Sequence, residues 1–312
     1  MNAQSQAAYP LHYTDIHKVA LLTNPAASKG QAVANAAKAR EEFAALGVEV
    51  EEVSGSSERE SLVLAQEIAA RDDIDAFVVC GGDGLINLAL QAHVGQETPL
   101  GIIPSGTGND TARALGIPRD AKAAAQIIAA GLVSHADVGL LRQGDAQRYF
   151  ASIACAGFDS LVNDRANSLR WPKGKARYNV AIVVEFAQFH SMPAKLTLAD
   201  GTVFEDQVTL CAIGNTSTYG GGMRVCPQAS AHDGLFDITI IRRINRRKAA
   251  MNVTRFFSGN FEGFPEVQTF RTSKVELDMP GINIYADGDF MFSSPLTAEV
   301  VPQGARFIVP RF

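Results

Sequence analysis

Over the first 138 residues, short β-branched runs alternate with Ala-rich stretches whose apolar positions recur at helical spacing. Successive strand, helix, strand units on a parallel sheet read this way. Val19 to Leu22 predicts a first strand, Gly30 to Leu46 a helix stopped by Gly47, and Val48 to Val53 a second strand. Ser57-x-x-Glu60 is a capping box that opens a helix running to about Arg71. Ala76 to Cys80 and Leu100 to Ile103 complete four strands, with helices predicted after Gly84, Asn109 and Arg119. Beyond about Gly139 the texture changes to alternating runs with hairpin signals, such as Lys195 to Leu198, Asp200-Gly201, then Thr202 to Phe204. Helical stretches around Arg177 to Phe189 and Asn245 to Phe257 interrupt it. The expected class is α/β: a three-layer parallel-sheet domain over 15–138 and a mostly antiparallel β domain over 139–312.

A chain of 312 residues, 46% hydrophobic and 20% charged, has room for two such cores and excludes disorder, collagen and coiled coil. The net charge of −5 excludes a dedicated nucleic-acid binder. Cys80, Cys155, Cys211 and Cys226 lack CxxC spacing, so neither a zinc site nor a disulfide framework is expected, and the compartment should be reducing. Residues 1–10 carry no Lys or Arg and no apolar run, and no stretch approaches 18 apolar residues. The expectation is a cytoplasmic protein that meets a membrane, if at all, from its inner surface.

Chemistry enters at three turns, each after a predicted strand. Gly81-Gly82-Asp83-Gly84-Leu85-Ile86-Asn87 follows Cys80, and Pro104-Ser105-Gly106-Thr107-Gly108-Asn109-Asp110 follows Ile103, with Asn109 or Asp110 expected to cap the next helix. Asn24-Pro25-Ala26-Ala27-Ser28-Lys29-Gly30 follows the first strand. Glycines there let backbone approach a phosphate, and the helix start presents unpaired N–H groups to it. A carboxylate such as Asp83 beside a polyphosphate implies magnesium or a donor-bearing network between them. Singly, each turn is an ordinary strand-to-helix connection; three on one sheet edge point to nucleotide binding. Neither the Walker pattern nor GxGxxG occurs.

These residues resemble the bacterial diacylglycerol kinase and lipid kinase family, related to sphingosine kinases. The matching segments are Asn24-Pro25 with Gly30, Gly81 to Asn87, Pro104 to Arg113, Asp233-Gly234-Leu235-Phe236-Asp237 and Asp287-Gly288-Asp289. NAD kinases and phosphofructokinases share GGDG, so Gly106-Thr107-x-Asn109-Asp110 discriminates. The resemblance implies a first domain that binds ATP, a β-sandwich-like second domain that binds the lipid substrate, and a C-terminal tail able to return to the first. It implies ATP contacts from Asn24, Pro25, Ala26, Ala27, Ser28, Gly81, Gly82, Asp83, Gly84, Leu85, Ile86, Asn87, Leu88, Gly106, Thr107, Asn109 and Asp110, with Ser54 a weaker candidate. Asp287 is the implied general base, with Asp83 a second catalytic carboxylate and Asp289 an acidic group near the nucleotide. Ser230, Asp233 and Leu235 are the implied magnesium site, the outer two through carbonyls.

Leu85 stands where the family has Thr or Ser, Thr111 replaces a bulky apolar residue, and Asp289 is shorter than the usual Glu. The expected activity is ATP- and Mg2+-dependent phosphorylation of the hydroxyl of a diacylglycerol-like or other long-chain lipid, a step of phospholipid metabolism. Phosphorylation of a soluble substrate such as NAD, and a nucleotide-binding regulator without turnover, stand as alternatives; a homodimer stays open. Arg165 to Arg177, containing Trp171, and Arg242 to Lys248 are basic stretches of the kind that meets anionic lipid headgroups. The six histidines show no metal-ligand spacing, and Gly214 to Met223 reads as a cleft loop or a surface loop.

Overall fold

The computed structural model describes residues 10–24, 30–169, 171–172, 175–261 and 263–311. The first unit comprises β1 (His12–Tyr13), β2 (Lys18–Thr23), α1 (Gln31–Ala45), β3 (Glu49–Ser54) and α2 (Glu58–Ala69). It continues through β4 (Ala76–Gly81), α3 (Asp83–His93), β5 (Leu100–Pro104), α4 (Asp110–Ala114) and α5 (Ala121–Ala130). Strands β3, β2, β4 and β5 pair in that order, all parallel. Helices α1 and α5 pack together, as do α2 and α3, giving the three layers. β4 reads Ala-Phe-Val-Val-Cys-Gly and is buried along its whole length, as a strand covered on both faces must be.

The second unit begins with β6 (Leu132–Gln143), β7 (Ala146–Phe150), β8 (Ile153–Gly157), α6 (Phe158–Ser168) and α7 (Lys175–Ala187). There follow β9 (Met192–Leu198), β10 (Val203–Gly214), β11 (Phe236–Arg242), α8 (Arg246–Phe257), β12 (Val267–Thr272), β13 (Lys274–Asp278), β14 (Asn283–Ala286), β15 (Asp289–Ser293) and β16 (Leu296–Ile308). Its pairings are antiparallel and enclose a core that includes Leu196, Phe236, Ile238 and Val275. β9 alternates buried and exposed positions, the pattern of a sheet wet on one face.

β16 joins the units. It pairs with β13 and β6 in the second unit and, through Phe307 opposite Leu100, lies parallel to β5 of the first. Phe307, Ile308 and Val309 belong to the first unit's core, and Val309 N–H donates to the Leu132 carbonyl at 2.8 Å.

Two local expectations change. Ser57 accepts from Glu60 N–H at 3.2 Å, but the Glu60 carboxylate turns to Ser56 N–H at 2.8 Å rather than closing the box on Ser57. Helix α6 has no predicted counterpart because its sequence carries no clear period; it buries Asp159, Ser160, Val162 and Ala166.

Candidate active site

The glycine turns meet at the carboxyl edge of the parallel sheet, where β4 and β5 run side by side with Gly81 opposite Pro104. The two turns touch backbone to backbone: a Cβ on Gly106 would stand 2.5 Å from the Gly82 Cα, so only glycine fits. Asn109, with φ of 52°, closes the second turn on itself. Its Oδ1 accepts from Gly106 N–H at 2.8 Å and its Nδ2 donates to the Gly106 carbonyl at 2.9 Å. Asn109 therefore does not cap α4 with its side chain, and neither does Asp110.

The cap comes from the neighbouring turn. Asp83 Oδ1 accepts from Asp110 N–H at 2.7 Å and Thr111 N–H at 3.2 Å, the two orphan donors at the start of α4. These N–H groups are a donor network of the kind expected around that carboxylate. Oδ2 has no hydrogen-bond partner among the described residues, and a Cβ at Gly108 would come within 2.7 Å of it. Burial first, then the nearby Asp110 and Asp287 carboxylates, push the Asp83 carboxyl up to about 6. The same residue thus joins two turns and keeps one oxygen available.

Asp287 arrives from the other unit, at the turn between β14 and β15, with φ of 53°. Its Oδ2 accepts from Asn87 Nδ2 at 2.9 Å and Ala151 N–H at 2.7 Å. Its Oδ1 accepts from Ser152 N–H at 2.9 Å and from the Ser152 hydroxyl. A carboxylate offers about four lone-pair sites, and four donors occupy them. Asn87 also donates to the Tyr149 carbonyl at 3.0 Å, so this residue of the GGDG turn ties the two units together. Asp289 stands beside the first turn of α3, its Oδ2 3.1 Å from where a Gly84 Cβ would be. It keeps solvent access while surrounded by protein; that crowding, then the charges of Glu58 and Asp287, push its carboxyl up to about 6.

Leu85 turns inward against Gly81 and packs on the first core rather than pointing out of the turn. Ser54 ends β3 beside Thr23, on the edge that Asn24 continues. Pro25, Ala26, Ala27 and Ser28 lie outside the described residues. Thr107 is exposed at the turn, and Arg119 Nη2 reaches its carbonyl at 3.3 Å and that of Gly108 at 3.4 Å. Arg119 places a cation beside the second glycine turn; nothing in the sequence singled it out.

A cavity of about 760 Å³ runs from these carboxylates into the second unit. Asp83, Thr107, Gly108 and Asp287 line one end, and Phe158, Phe186, Phe189, Leu210, Ile241 and Phe256 line the rest. Phe158, Phe186 and Phe189 form a cluster with ring centroids 5.3 to 6.4 Å apart. One buried polar pair interrupts the apolar wall: Tyr219 donates its hydroxyl to Asp159, whose carboxyl burial pushes up to about 6. Of the Gly214 to Met223 segment, Tyr219, Gly220, Gly221 and Met223 line this cavity in a tight turn, Tyr219 and Met223 exchanging backbone hydrogen bonds at 3.0 and 2.8 Å, while Asn215, Thr216 and Ser217 face the polar cavity described next. Gly221 N–H fixes that turn to Asp110 Oδ2 at 2.8 Å. Alternating apolar residues in a sequence do not distinguish a filled core from a hollow one, so this cavity had no earlier signal.

Ser230, Asp233 and Leu235 lie elsewhere, on a separate polar cavity of about 800 Å³. Oxygen donors of this kind suit a hard cation. Yet Asp233, the one carboxylate among the three, is already held: Oδ2 by Arg271 Nη2 at 2.5 Å and Oδ1 by Leu235 N–H at 3.1 Å. Asp137 fixes the same loop through Gly234 N–H at 2.8 Å. As arranged, these residues do not fit a resident divalent cation. No group of three or more His, Cys, Asp or Glu that could hold a metal occurs among the described residues.

Comparisons with known proteins agree with this architecture. The diacylglycerol kinase catalytic domain model matches residues 18–141, and the YegS C-terminal NAD kinase beta sandwich-like domain model matches residues 152–309. The chain is 39% identical over 307 residues to a diacylglycerol kinase of Mycobacterium tuberculosis, covering 98% of this chain and 99% of that one. It is 26% identical over 275 residues to one of Bacillus subtilis, covering 86% and 89%. A solved diacylglycerol kinase from Bacillus anthracis str. Sterne superposes with a TM-score of 0.73 at 20% identity, covering 95% of this chain and 98% of that one. A second structure from that organism gives a TM-score of 0.77 at 23% identity with the same coverage.

Proposed function

The chain belongs to the diacylglycerol kinase family, and from that premise we propose that it transfers the γ-phosphate of ATP to the free hydroxyl of a diacylglycerol-like lipid. One observation carries the choice of acceptor: the apolar cavity ends on Asp83 and Asp287 beside the glycine turns. A long-chain alcohol would bury its chain among the phenylalanines and present its hydroxyl where the nucleotide edge begins. A soluble acceptor would leave that apolar wall to water.

The lipid hydroxyl gives its proton to Asp83 Oδ2 as its oxygen attacks the γ-phosphorus; the bond to the β-phosphate oxygen breaks and ADP leaves with that oxygen. Asp83 suits this role because Oδ1 is anchored by two N–H groups and Oδ2 is open. A base with a pKa of about 6 is also matched to neutral operation. Asp287, with four donors on it, is a positioning residue: it holds Asn87 of one unit against Ala151 and Ser152 of the other and so fixes the geometry across the cleft. This differs from the resemblance, which makes Asp287 the base. Arg119 and the turn N–H groups face the phosphates. Magnesium carried by ATP would supply neutralising charge beside Asp83 and Asp289, whereas Asp110 is already paired with Arg113.

The second unit's likeness to a NAD kinase sandwich keeps NAD as the competing acceptor. Purified protein incubated with γ-labelled ATP and either diacylglycerol in mixed micelles or NAD separates the two. Label should enter the lipid, and KM should fall about fourfold per added acyl methylene, at about 0.8 kcal/mol each, until the cavity is filled. Label in NAD alone, or ATP binding without transfer to either, would remove the lipid kinase reading.

A further inference from the structure

The polar cavity between α4 and the loop leading into β11 is a second pocket, and no step of the transfer uses it. Thr111 and Phe307 wall it from the first unit, and Asn215, Thr216, Arg224 and Arg271 from the second. Two of these side chains are buried with a polar atom that nothing among the described residues satisfies. Asn215 is 1% exposed; its Nδ2 donates to the Asp137 carbonyl at 2.9 Å and the Ala151 carbonyl at 2.8 Å, while its Oδ1 has no partner. Thr216 is 8% exposed, and its hydroxyl has none either. Unpaired buried polar atoms are costly, so folded proteins satisfy nearly all of them, from the protein or from a bound molecule. An amide oxygen only accepts, so whatever completes Asn215 must bring a donor.

The charges on the wall say what else that molecule carries. Both carboxylates are occupied: Asp137 accepts from Gly234 N–H at 2.8 Å and Gln303 N–H at 2.9 Å, and Asp233 is held by Arg271 and Leu235 N–H. The guanidiniums are not used up. Arg271 spends Nη2 on Asp233 and Nε on Asp237 at 3.4 Å, which leaves Nη1. Arg224 spends Nη2 on the Pro227 carbonyl at 3.1 Å and is exposed. Guanidinium nitrogens beside a hydroxyl suit the oxygens of a phosphate group.

The pocket also backs onto the groups that hold Asp287. Ala151, whose N–H donates to Asp287, has its carbonyl held by Asn215. The backbone N–H groups of Asn215 and Thr216 both donate to the Ser152 carbonyl, at 2.9 and 3.1 Å, and Ser152 in turn donates to Asp287. On the opposite wall, Thr111 N–H donates to Asp83.

We propose that this pocket is an effector site for a small, water-soluble phosphate monoester with free hydroxyls. Its phosphate meets Arg224, Arg271 and the Thr216 hydroxyl, a ligand hydroxyl donates to Asn215 Oδ1, and occupancy stiffens the Asn215–Ser152–Asp287 frame so that transfer speeds up. A phosphatidate fits less well, having no hydroxyl left for Asn215 and two acyl chains that a polar wall does not cover. The effect on transfer rests on the lipid kinase reading; the binding does not.

Isothermal titration of the full chain with glycerol 3-phosphate as the probe should show binding, with inorganic phosphate, glycerol and a short-chain phosphatidate each about tenfold weaker or more. Thr216→Val removes only a hydroxyl without a partner, so it should keep the ligand-free thermal midpoint yet bind the probe about tenfold more weakly, as should Arg224→Gln. Saturating probe should raise kcat on diacylglycerol in mixed micelles twofold or more in the wild type and in neither variant. No binding, or binding that both variants retain, would overturn the proposal. Inorganic phosphate or phosphatidate bound as tightly as the probe would overturn it in favour of a free anion or of the reaction's own product. Magnesium binding lost in Asp233→Asn but kept in Arg224→Gln would overturn it in favour of a cation. Probe binding with kcat unchanged would keep the site and remove its coupling to transfer. Probe binding with no transfer to lipid at all would keep the site and sink the kinase reading instead.

Discussion

Through Oδ1, Asp83 caps α4 and links the two glycine turns, and its Oδ2 has no hydrogen-bond partner among the described residues. Its raised pKa makes the pH dependence explicit. On the proposed mechanism Asp83 must be ionised, so kcat/KM should rise tenfold per pH unit below about 6 and level off above it. Stability runs the other way. The unfolded carboxyl titrates near 3.8 and the folded one near 6, so the folded state holds the extra proton between those values. Stability contributed by this group is present at low pH and is lost as pH rises through about 6. Asp83→Asn should therefore lower kcat by about 10²- to 10⁴-fold while the thermal midpoint at pH 7 holds or rises, since an amide oxygen can still accept from Asp110 and Thr111. Retained turnover, or an unchanged acid limb, would move the base elsewhere, with Asp287 next in line. Leu85 is explained at this scale as well: its side chain packs into the core, so the missing hydroxyl is not missing from the cleft.

Among the elements, the loop before β11 shows how one ion pair can replace a ligand set. Arg271 on β12 reaches back to Asp233 and, at 3.4 Å, to Asp237 on β11, neutralising both carboxylates. Arg271→Ala would leave Asp233 with a single donor from Leu235 and cost about 1 to 3 kcal/mol, the range for leaving a largely buried acceptor unsatisfied. Chelation should leave the wild-type thermal midpoint unchanged in the absence of nucleotide, because a guanidinium cannot be chelated away. A midpoint that drops on adding EDTA would show that a cation, not Arg271, holds the loop. Among the described residues no helix is long and apolar enough to cross a membrane.

In the whole molecule, β6 and β16 make the two units one mechanical object. β16 starts against β13 in the second unit and ends against β5 in the first, burying Phe307, Ile308 and Val309 at 3% exposure or less. At about 1.5 to 3 kcal/mol per fully buried side chain, losing these three approaches the whole stability of an ordinary domain. A chain ending at Gln303 should lose the cooperative thermal transition that the full chain shows by circular dichroism. A truncated chain melting at the full-length midpoint would mean that the closure contributes little. The same coupling serves the site, because Asn87 and Asp287 must meet across the two units.

By itself the sequence determined what local physics can write. Periodicity fixed the parallel sheet and its helices, Asp200-Gly201 fixed a hairpin, and glycines after β4 and β5 marked where phosphate could approach, because each of these depends on neighbours a few residues away. What those residues do to one another follows from three-dimensional packing. Asp83 capping a helix 27 positions on and Asn87 meeting Asp287 200 positions away depend on how strands stack, which no local pattern encodes. The hollow between α6, α7 and α8 depends on packing distances, which a string of phenylalanines and isoleucines leaves open. Arg119 and Arg271 looked like any surface cation until the fold brought a carbonyl to one and a carboxylate to the other.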